Sequence, residues 1–393
     1  MKTNPRCFVA TFLTTLGLAA GFLSVAWSAE VSVTVANGLD LARPSETISL
    51  PWQDLVAALP QAQADRLQVR DKASGKEIPC QAVDSDANGT PDEFLFQADF
   101  APKETRAFIL ATLEGPGTQF PVRAFGRFVP ERKDDFAWEN DRIAHRMYGA
   151  ALETDKAEPL TSSGVDVWCK RTRELVIDKW YKSGDYHTDH GEGCDLYTVG
   201  KGRGAGGLGV YRDGKLVTSR NFRSWKVLAA GPVRVSFILT YLPWEVDGVK
   251  VSEVKRVTLD AGQNLSHFES IFLPDKPLPE LDIALGVQVH AADAAVALKP
   301  LEGWMSVWEK CSGNNGNLGT GAVLDPATLR QMKQEAGHAL AVVTATPGKP
   351  VSYWAGAGWD KSGDFASAED WNLYLARFAQ RLASPLKITL GAG

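Results

Sequence analysis

With 393 residues, 44% of them hydrophobic, the chain is long enough to bury a full core without help from disulfides or metals. Its 42 basic residues against 47 acidic ones give a formal net charge of −5, leaving no basic surplus to displace phosphate counterions, which argues against a nucleic-acid partner. The N-terminus joins basic Lys2 and Arg6 to an apolar run from Phe8 to Val25 and a small-x-small site at Ala26-Trp27-Ser28. Residues 1–28 therefore read as a signal peptide. Cys7 precedes the apolar run, so it is not a lipid-bearing cysteine. No later run reaches the length of a membrane span, and the expected product is periplasmic or secreted, with no membrane attachment after cleavage. Cleavage removes Lys2 and Arg6 and moves the formal charge from −5 to −7. Cys80, Cys169, Cys194 and Cys311 remain, either as free thiols or as up to two disulfides in any of three pairings.

From residue 29 to 114 the pattern is short β-runs between turn signals: VSVTVAN, TISLPW, RLQVRD, DEFLFQADF and RAFILATL. Only Trp52 to Leu59 reads as a short helix. These features predict a small antiparallel β-sandwich of about seven strands. GPGTQFP, residues 115–121, is the linker. From 122 to 393 most segments are again β, including GVDVWCKRTRELVIDKWY and GPVRVSFILTYLPW, the latter apolar enough for a strand buried on both faces. Asp213-Gly214 and Asp247-Gly248 are hairpin dipeptides. Asp325-Pro326 predicts the start of a short helix reaching about Glu335. Ser367 and Asp370 form a capping box, followed by Trp371, Leu375, Phe378 and Leu382 on one helix face as core packing. Many long strands and few helices make this second domain a large antiparallel two-sheet sandwich.

Chemistry concentrates in three stretches. The run from Trp180 to Lys215 places His187 and His190 within six residues of Asp189 and Glu192, after Tyr181 and Tyr186 and before a glycine-rich loop. Core packing alone does not account for such a composition. His187-x-x-His190-x-Glu192 suits acid–base work, with an imidazole as base and a carboxylate fixing its tautomer. It equally offers three transition-metal ligands if a turn converges them, or a hydrogen-bonded loop. Gly202-x-Gly204-x-x-Gly207 matches the dinucleotide fingerprint in letters only, because a hairpin rather than a helix follows; the loop instead lets backbone approach a ligand closely. The second stretch, Asp134 to Gly149, interleaves charge with aromatics, and Arg142 or Arg146 can hold a carboxylate bidentately. Asp141, His145 and Tyr148 belong to the same substrate-binding set. In the third stretch, Trp354 to Asp364, Trp359 and Lys361 suit a sugar platform. Separately, Asp84, Asp86, Asn88 and Asp92 present oxygens at alternate positions around Gly89, as calcium loops do, although Leu95 stands where a closing Glu is usual.

On DDFAWENDRIAHRMYG, DYHTDHGEGCDLYTVGKGRGAGGLGVY and YWAGAGWDKSGDF the chain resembles the bacterial family called domain of unknown function 4861, from about Val31 to the C-terminus. That resemblance implies a galactose-mutarotase-like β-supersandwich and breakdown of uronate-containing polysaccharides. Joined to the residues, it gives an expectation of β-elimination on a uronate-containing oligosaccharide, with no cofactor for the chemistry. His187 is the expected base with Tyr186 as partner, His190 with Glu192 the acid or orienting pair, and Arg142 the carboxylate clamp. A hydrolase or aldose epimerase using Glu192 and His187 at the anomeric carbon, and a non-catalytic sugar-binding protein, are the competing readings.

A calcium ion held by Asp84, Asp86, Asn88 and Asp92 is expected to support stability rather than turnover. Elemental analysis should find one calcium per chain, and chelation should lower the melting temperature. An unchanged melting curve in a metal-free sample would remove the ion from the account.

Overall fold

The computed structural model describes residue 1 and residues 27–115 and 117–391. The expected signal peptide lies outside the described residues, except for Met1 and the backbone of residues 27 and 28. The rest is β-rich, with antiparallel sheets in two domains.

The N-terminal domain packs a five-stranded sheet on a three-stranded one. Strand Trp27–Ala36 shows the alternation expected of a half-buried strand, with Val31, Val33 and Val35 at 2% exposure or less. They meet Ile48, Phe94, Phe96, Phe108 and Leu110 in one core. Helix α1, Trp52–Ala58, adds Leu55 to it. Seven strands come from residues 27–113, as the turn spacing predicts, but an eighth is supplied by Lys387–Leu390. That strand pairs with Trp27–Ala36, so the second domain does not run from 122 to 393 as a closed unit.

In the large domain an eight-stranded sheet runs from Ser224–Ala229 at one edge to Ala295–Lys299 at the other. Its inner face packs against two five-stranded sheets. One is built from strands between Ala205 and Ala345, the other from strands between Ala124 and Asp195. Both hairpin dipeptides fold as read: Asp213, Gly214, Asp247 and Gly248 all have positive φ, the geometry of a tight two-residue turn. Strand Arg234–Val246 is buried along its inner face and only partly covered on its outer one, where Ser236 alone is buried among its first seven residues. Val235, Phe237, Leu239 and Tyr241 point into the core, while Arg234, Ile238 and Thr240 are half-buried on the outer face.

Two local readings are corrected. The stretch read as one strand, GVDVWCKRTRELVIDKWY, splits into strand Asp166–Lys170 and helix α2, Ile177–Ser183. The helix starts there because the Glu139 carboxylate accepts the amide protons of Val176 and Ile177, neutralising free donors at its N-terminus. Beyond Asp325, the proline opens only one 3-10 turn, Pro326–Thr328, although Asp325 caps it through Ala327 N–H at 2.9 Å. Leu329–Glu335 then continues as a strand, because the Ala336-Gly337 turn, with φ of 48° and 72°, folds it onto His338–Ala345. Among the described residues, Cys80, Cys169, Cys194 and Cys311 are free thiols.

Helix α3, Ala368–Ala383, is capped as expected: Ser367 Oγ accepts Asp370 N–H at 3.3 Å. Its buried stripe of Trp371, Leu375 and Phe378 lies on the outer face of the eight-stranded sheet, with Leu382 half-buried beside it. Glycines make that close contact feasible. A Cβ on Gly319 would stand 2.6 Å from Trp371, and one on Gly321 2.6 Å from Leu375 and 2.9 Å from the Met305 carbonyl. Gly321→Ala is therefore expected to destabilise the protein by about 1–3 kcal/mol, the usual cost of overpacking. Urea denaturation measures this, and an unchanged midpoint would show that the helix is not seated on this face.

Candidate functional site

The sheet between Ala124 and Asp195 has one face in the main core and another covered by α2 and the turn that follows it. Alternation along Asp135–Asn140, Ile143–Met147, Asp166–Lys170 and Gly193–Asp195 brings charged residues to the covered face. The cover is aromatic. Trp180, Tyr181 and Tyr186 surround Trp168 at centroid distances of 5.6, 4.9 and 4.9 Å.

At the centre, Arg146 is 5% exposed. Its Nε donates to Asp166 at 2.8 Å and its Nη2 to Asp195 at 3.0 Å, while Asp135 lies 3.9 Å from Nη1. Tyr186 OH accepts from Arg132 Nε at 3.0 Å and from Arg146 Nη1 at 3.4 Å. Three carboxylates thus crowd one deeply buried guanidinium, with a second at the rim. Burial pushes Asp135 up to about 7 and raises Asp166 and Asp195 as well, because arginine charge only partly offsets lost hydration. Asp135 Oδ2, Asp195 Oδ1 and Arg132 Nη1 have no hydrogen-bond partner among the described residues.

His187 stands at the edge of this cluster with its side chain 64% exposed. Its Nδ1 lies 3.3 Å from the Asp195 carbonyl and 3.5 Å from the Asp195 carboxylate, and its ring is 4.6 Å from that of Tyr186. The Tyr186 carbonyl accepts Asp195 N–H at 2.8 Å, which locks the two segments together. His190 and Glu192 do not join them. His190 Nε2 sits 3.0 Å from exposed Asp185, and Glu192 pairs with Lys179 at 2.7 Å. The three do not form a metal-binding group: among the described residues, the acid, His or Cys atoms close enough to hold an ion are those of Asp84, Asp86 and Asp92. Asp189 is a turn residue, accepting Gly191 and Gly193 N–H.

The expected substrate set is corrected residue by residue. Arg142 is engaged by Asp364, which Arg173 also grips at 2.7 and 2.9 Å, so it is no free clamp. His145 is fully buried, stacked on Trp138 and held down to about 4 by burial, a neutral core residue. Tyr148 is buried with the Arg146 guanidinium over its ring at 5.3 Å. Asp141 ties Arg123 and Gly262 N–H, each at 2.6 Å. Trp359 is 1% exposed and donates to the Asn315 carbonyl, and Lys361 folds back to the Asn314 carbonyl, so neither forms a platform. In the glycine-rich loop, Gly204 has φ of +60° and a Cβ there would lie 2.0 Å from the Val165 carbonyl. The loop's freedom serves strand contact rather than a ligand.

Away from this sheet, the Asp84, Asp86 and Asp92 oxygens lie within 4.8 Å of one another. Gly89, at φ +93°, donates its N–H to Asp84 at 2.7 Å, and Ser85 donates to Asp92 at 2.6 Å. Hydrogen bonds from Ser85 hold Asp92 below the ordinary carboxylate range. Convergent, ionised oxygens of this kind fit a hard cation such as calcium.

A family model, described as "Domain of unknown function (DUF4861)", matches residues 35–388. The chain belongs to this family. It is 32% identical over 375 residues to "Uncharacterized protein P7" of Formosa agariphila, covering 91% of this chain and 93% of the other. Among solved structures it is similar to a protein in the Glycosyl Hydrolase Family 38 from Enterococcus faecalis, with a TM-score of 0.51 and 12% identity over 92% of this chain. An alpha-mannosidase from Enterococcus faecalis V583 gives 0.50 at 12% identity over 92%. The chain spans about half the length of those two structures, 47% and 46%, and the likeness fits a sandwich-type β fold.

Within this DUF4861 fold, the Arg146 cluster makes a sign-definite prediction. The folded-state value of Asp135, about 7, lies above its ordinary 3.8, so the folded protein holds a proton that the unfolded chain releases. Stability from this group is complete below the ordinary value and falls as pH rises towards 7. Asp135→Asn should therefore gain melting temperature relative to wild type between pH 4 and pH 7, read as the difference between the two pH profiles. Parallel profiles would place Asp135 in its ionised form throughout.

Proposed function

We propose that this protein is an exported carbohydrate-active enzyme that cleaves uronate-containing oligosaccharides by β-elimination. The observation that carries the reading is the pair formed by exposed His187 and buried Tyr186 beside it. The imidazole is backed by Asp195, and the phenol oxygen faces two guanidinium N–H groups. With Nδ1 turned towards Asp195, Nε2 is left to take the proton from C5 of the uronate. The C5–H electrons form the C4–C5 double bond as the C4–O bond breaks. Tyr186 protonates the departing oxygen, and Arg132 and Arg146 stabilise the phenolate left behind. Loss of the glycosidic oxygen makes the enzyme a lyase, and loss of a hydroxyl makes it a dehydratase. Tyr186 thus takes the acid role that His190 and Glu192, engaged elsewhere, do not fill. Sugar enzymes among the solved neighbours support a saccharide as the ligand class. In this reading the calcium loop is structural and stands apart from the reacting groups.

Incubation with a panel of uronate oligosaccharides should produce the ultraviolet absorbance of a conjugated unsaturated uronate, with mass spectrometry separating scission from loss of water. His187→Ala should lower turnover by roughly 10²- to 10⁴-fold with KM nearly constant, as expected for loss of a general base. Undiminished turnover in a His187→Ala variant with an unchanged melting temperature would falsify this site. New reducing ends without the absorbance would indicate hydrolysis instead.

A further inference from the structure

The outer face of the eight-stranded sheet carries a second polar centre that the elimination reading does not use. Here the N-terminal sandwich, the sheet and the C-terminal half of α3 enclose a cleft of about 480 Å³. That size is within the range of small-molecule sites. Strand register fixes its floor. Thr258, His267 and Trp354 lie side by side on three adjacent strands, and Arg256, Glu269 and Ser352 form the next same-face row. The Arg146 cluster is on the other side of this sheet, beyond the strands that pack on its inner face.

Charge in the cleft is sorted by position. At its margins the arginines are neutralised: Arg234 pairs with Asp260 at 2.6 Å and Glu93 at 2.8 Å, and Arg381 with Glu46 at 3.1 Å. The Glu93 and Glu46 pairs bridge the N-terminal sandwich to the large sheet and to α3, and the charge of both arginines is already balanced. Arg256, on the floor, is different. Its Nη2 donates to the Ser85 carbonyl at 3.1 Å, and it has no ion pair among the described residues. Glu269, its cross-strand neighbour, accepts no hydrogen bond from them. Beside them His267 lies flat on Trp354, centroids 4.2 Å apart at 12°, with Nε2 2.7 Å from Ser352 Oγ. Burial holds His267 below its ordinary range, so this rigid ring adds surface rather than charge.

We propose that this cleft is a saccharide-binding site, separate from the His187 centre, which takes the carboxylate of an acidic sugar on Arg256 and its hydroxyls on Glu269 and the neighbouring serine and threonine side chains. A single unpaired guanidinium matches a single negative charge. A phosphate dianion would bring a second negative charge, unmatched by Arg256, beside the Glu269 carboxylate. A carboxylate acceptor among hydroxyl-bearing side chains suits a ligand rich in hydroxyl donors, and a fixed planar ring suits the C–H face of a pyranose.

The six histidines of the sequence allow a local readout. The His267 imidazole proton resonance is identified by its loss in His267→Gln. It is then followed while tetragalacturonate is added to the full-length His187→Ala protein, in which the proposed turnover is disabled. The resonance should move saturably. Arg256→Gln should raise the half-saturating concentration at least about tenfold, and Arg256→Lys should raise it less, because charge is kept while the bidentate fork is lost. The fully methyl-esterified tetrasaccharide should bind as weakly as the acid binds Arg256→Gln. A resonance that stays still, equal affinity for acid and ester, or unchanged affinity in a folded Arg256→Gln variant overturns the proposal. Failure of His187→Ala to lose turnover would sink the catalytic assignment and leave this result standing, since the two sites lie on opposite sides of the sheet.

Discussion

An eight-stranded sheet must cover both of its faces, and strict alternation along each strand decides what can cover them. In Val249–Asp260 the inward positions are Val251, Glu253, Lys255, Val257 and Leu259, while Ser252, Arg256, Thr258 and Asp260 face outward. The inner side, apolar apart from the paired Glu253 and Lys255, demands other sheets, and two supply it. The outer side is most apolar where α3 settles over glycines, and it meets the N-terminal sandwich through a small cluster of Val83, Leu95 and Val233 together with hydrogen bonds. Gln81 bridges to the backbone of Val233 and Arg234, and Gln97 to the carbonyl of Ala261. An interface of that kind leaves room for a cleft, because polar walls can face water without cost.

Two buried charge systems on the capped sheet differ in how completely their polar atoms are satisfied. Lys170 and Glu139 are both fully buried, but their polar atoms are closely accounted for. The ammonium reaches Glu139 and the Asn140 carbonyl at 2.7 Å each, and the carboxylate also caps α2. Breaking such a pair costs roughly 3–5 kcal/mol, and nothing in its geometry invites a ligand. Around Arg146 there are more acids than bases within the cluster, some oxygens are unpartnered, and one edge carries exposed His187. An excess of acid over base beside solvent keeps the Asp135, Asp166 and Asp195 carboxyls above their ordinary range, whereas the Lys170–Glu139 pair is matched one to one.

What could be read from the sequence was whatever is decided locally. The Asp-Gly hairpins, the Ser367 cap and the valine alternation of the first strand each depend on a few consecutive residues. Helix α2 was hidden because its cap comes from Glu139, distant in sequence. The composition around Tyr186 and His187 marked that region, and the third stretch attracted attention for its tryptophans. Yet Gly358 there clears space for Phe365 and Trp371, and Trp359 fills the core. Arg132, Asp166 and Asp195 carried no signal, since they meet only when separate segments assemble. Arg142 and Arg146 look alike in the sequence for the same reason: Arg142 lies just before the strand and meets Asp364, whereas Arg146 is within it and faces the cap.

The pairing of Ala36 with Lys387 has a consequence for how the chain is made. Arg43, itself fully buried, reinforces the pairing by donating to the carbonyl of Ser384, 341 positions away. Until those late residues emerge, the first strand has no partner along one side, and a guanidinium destined for the interior has only Asn37 and Glu46 to satisfy it. Closing a loop of this length is slow, and an unpaired strand edge invites pairing with other chains. The N-terminal sandwich therefore completes its sheet only once the residues around Lys387 have been made, and until then its open edge is a site for mispairing.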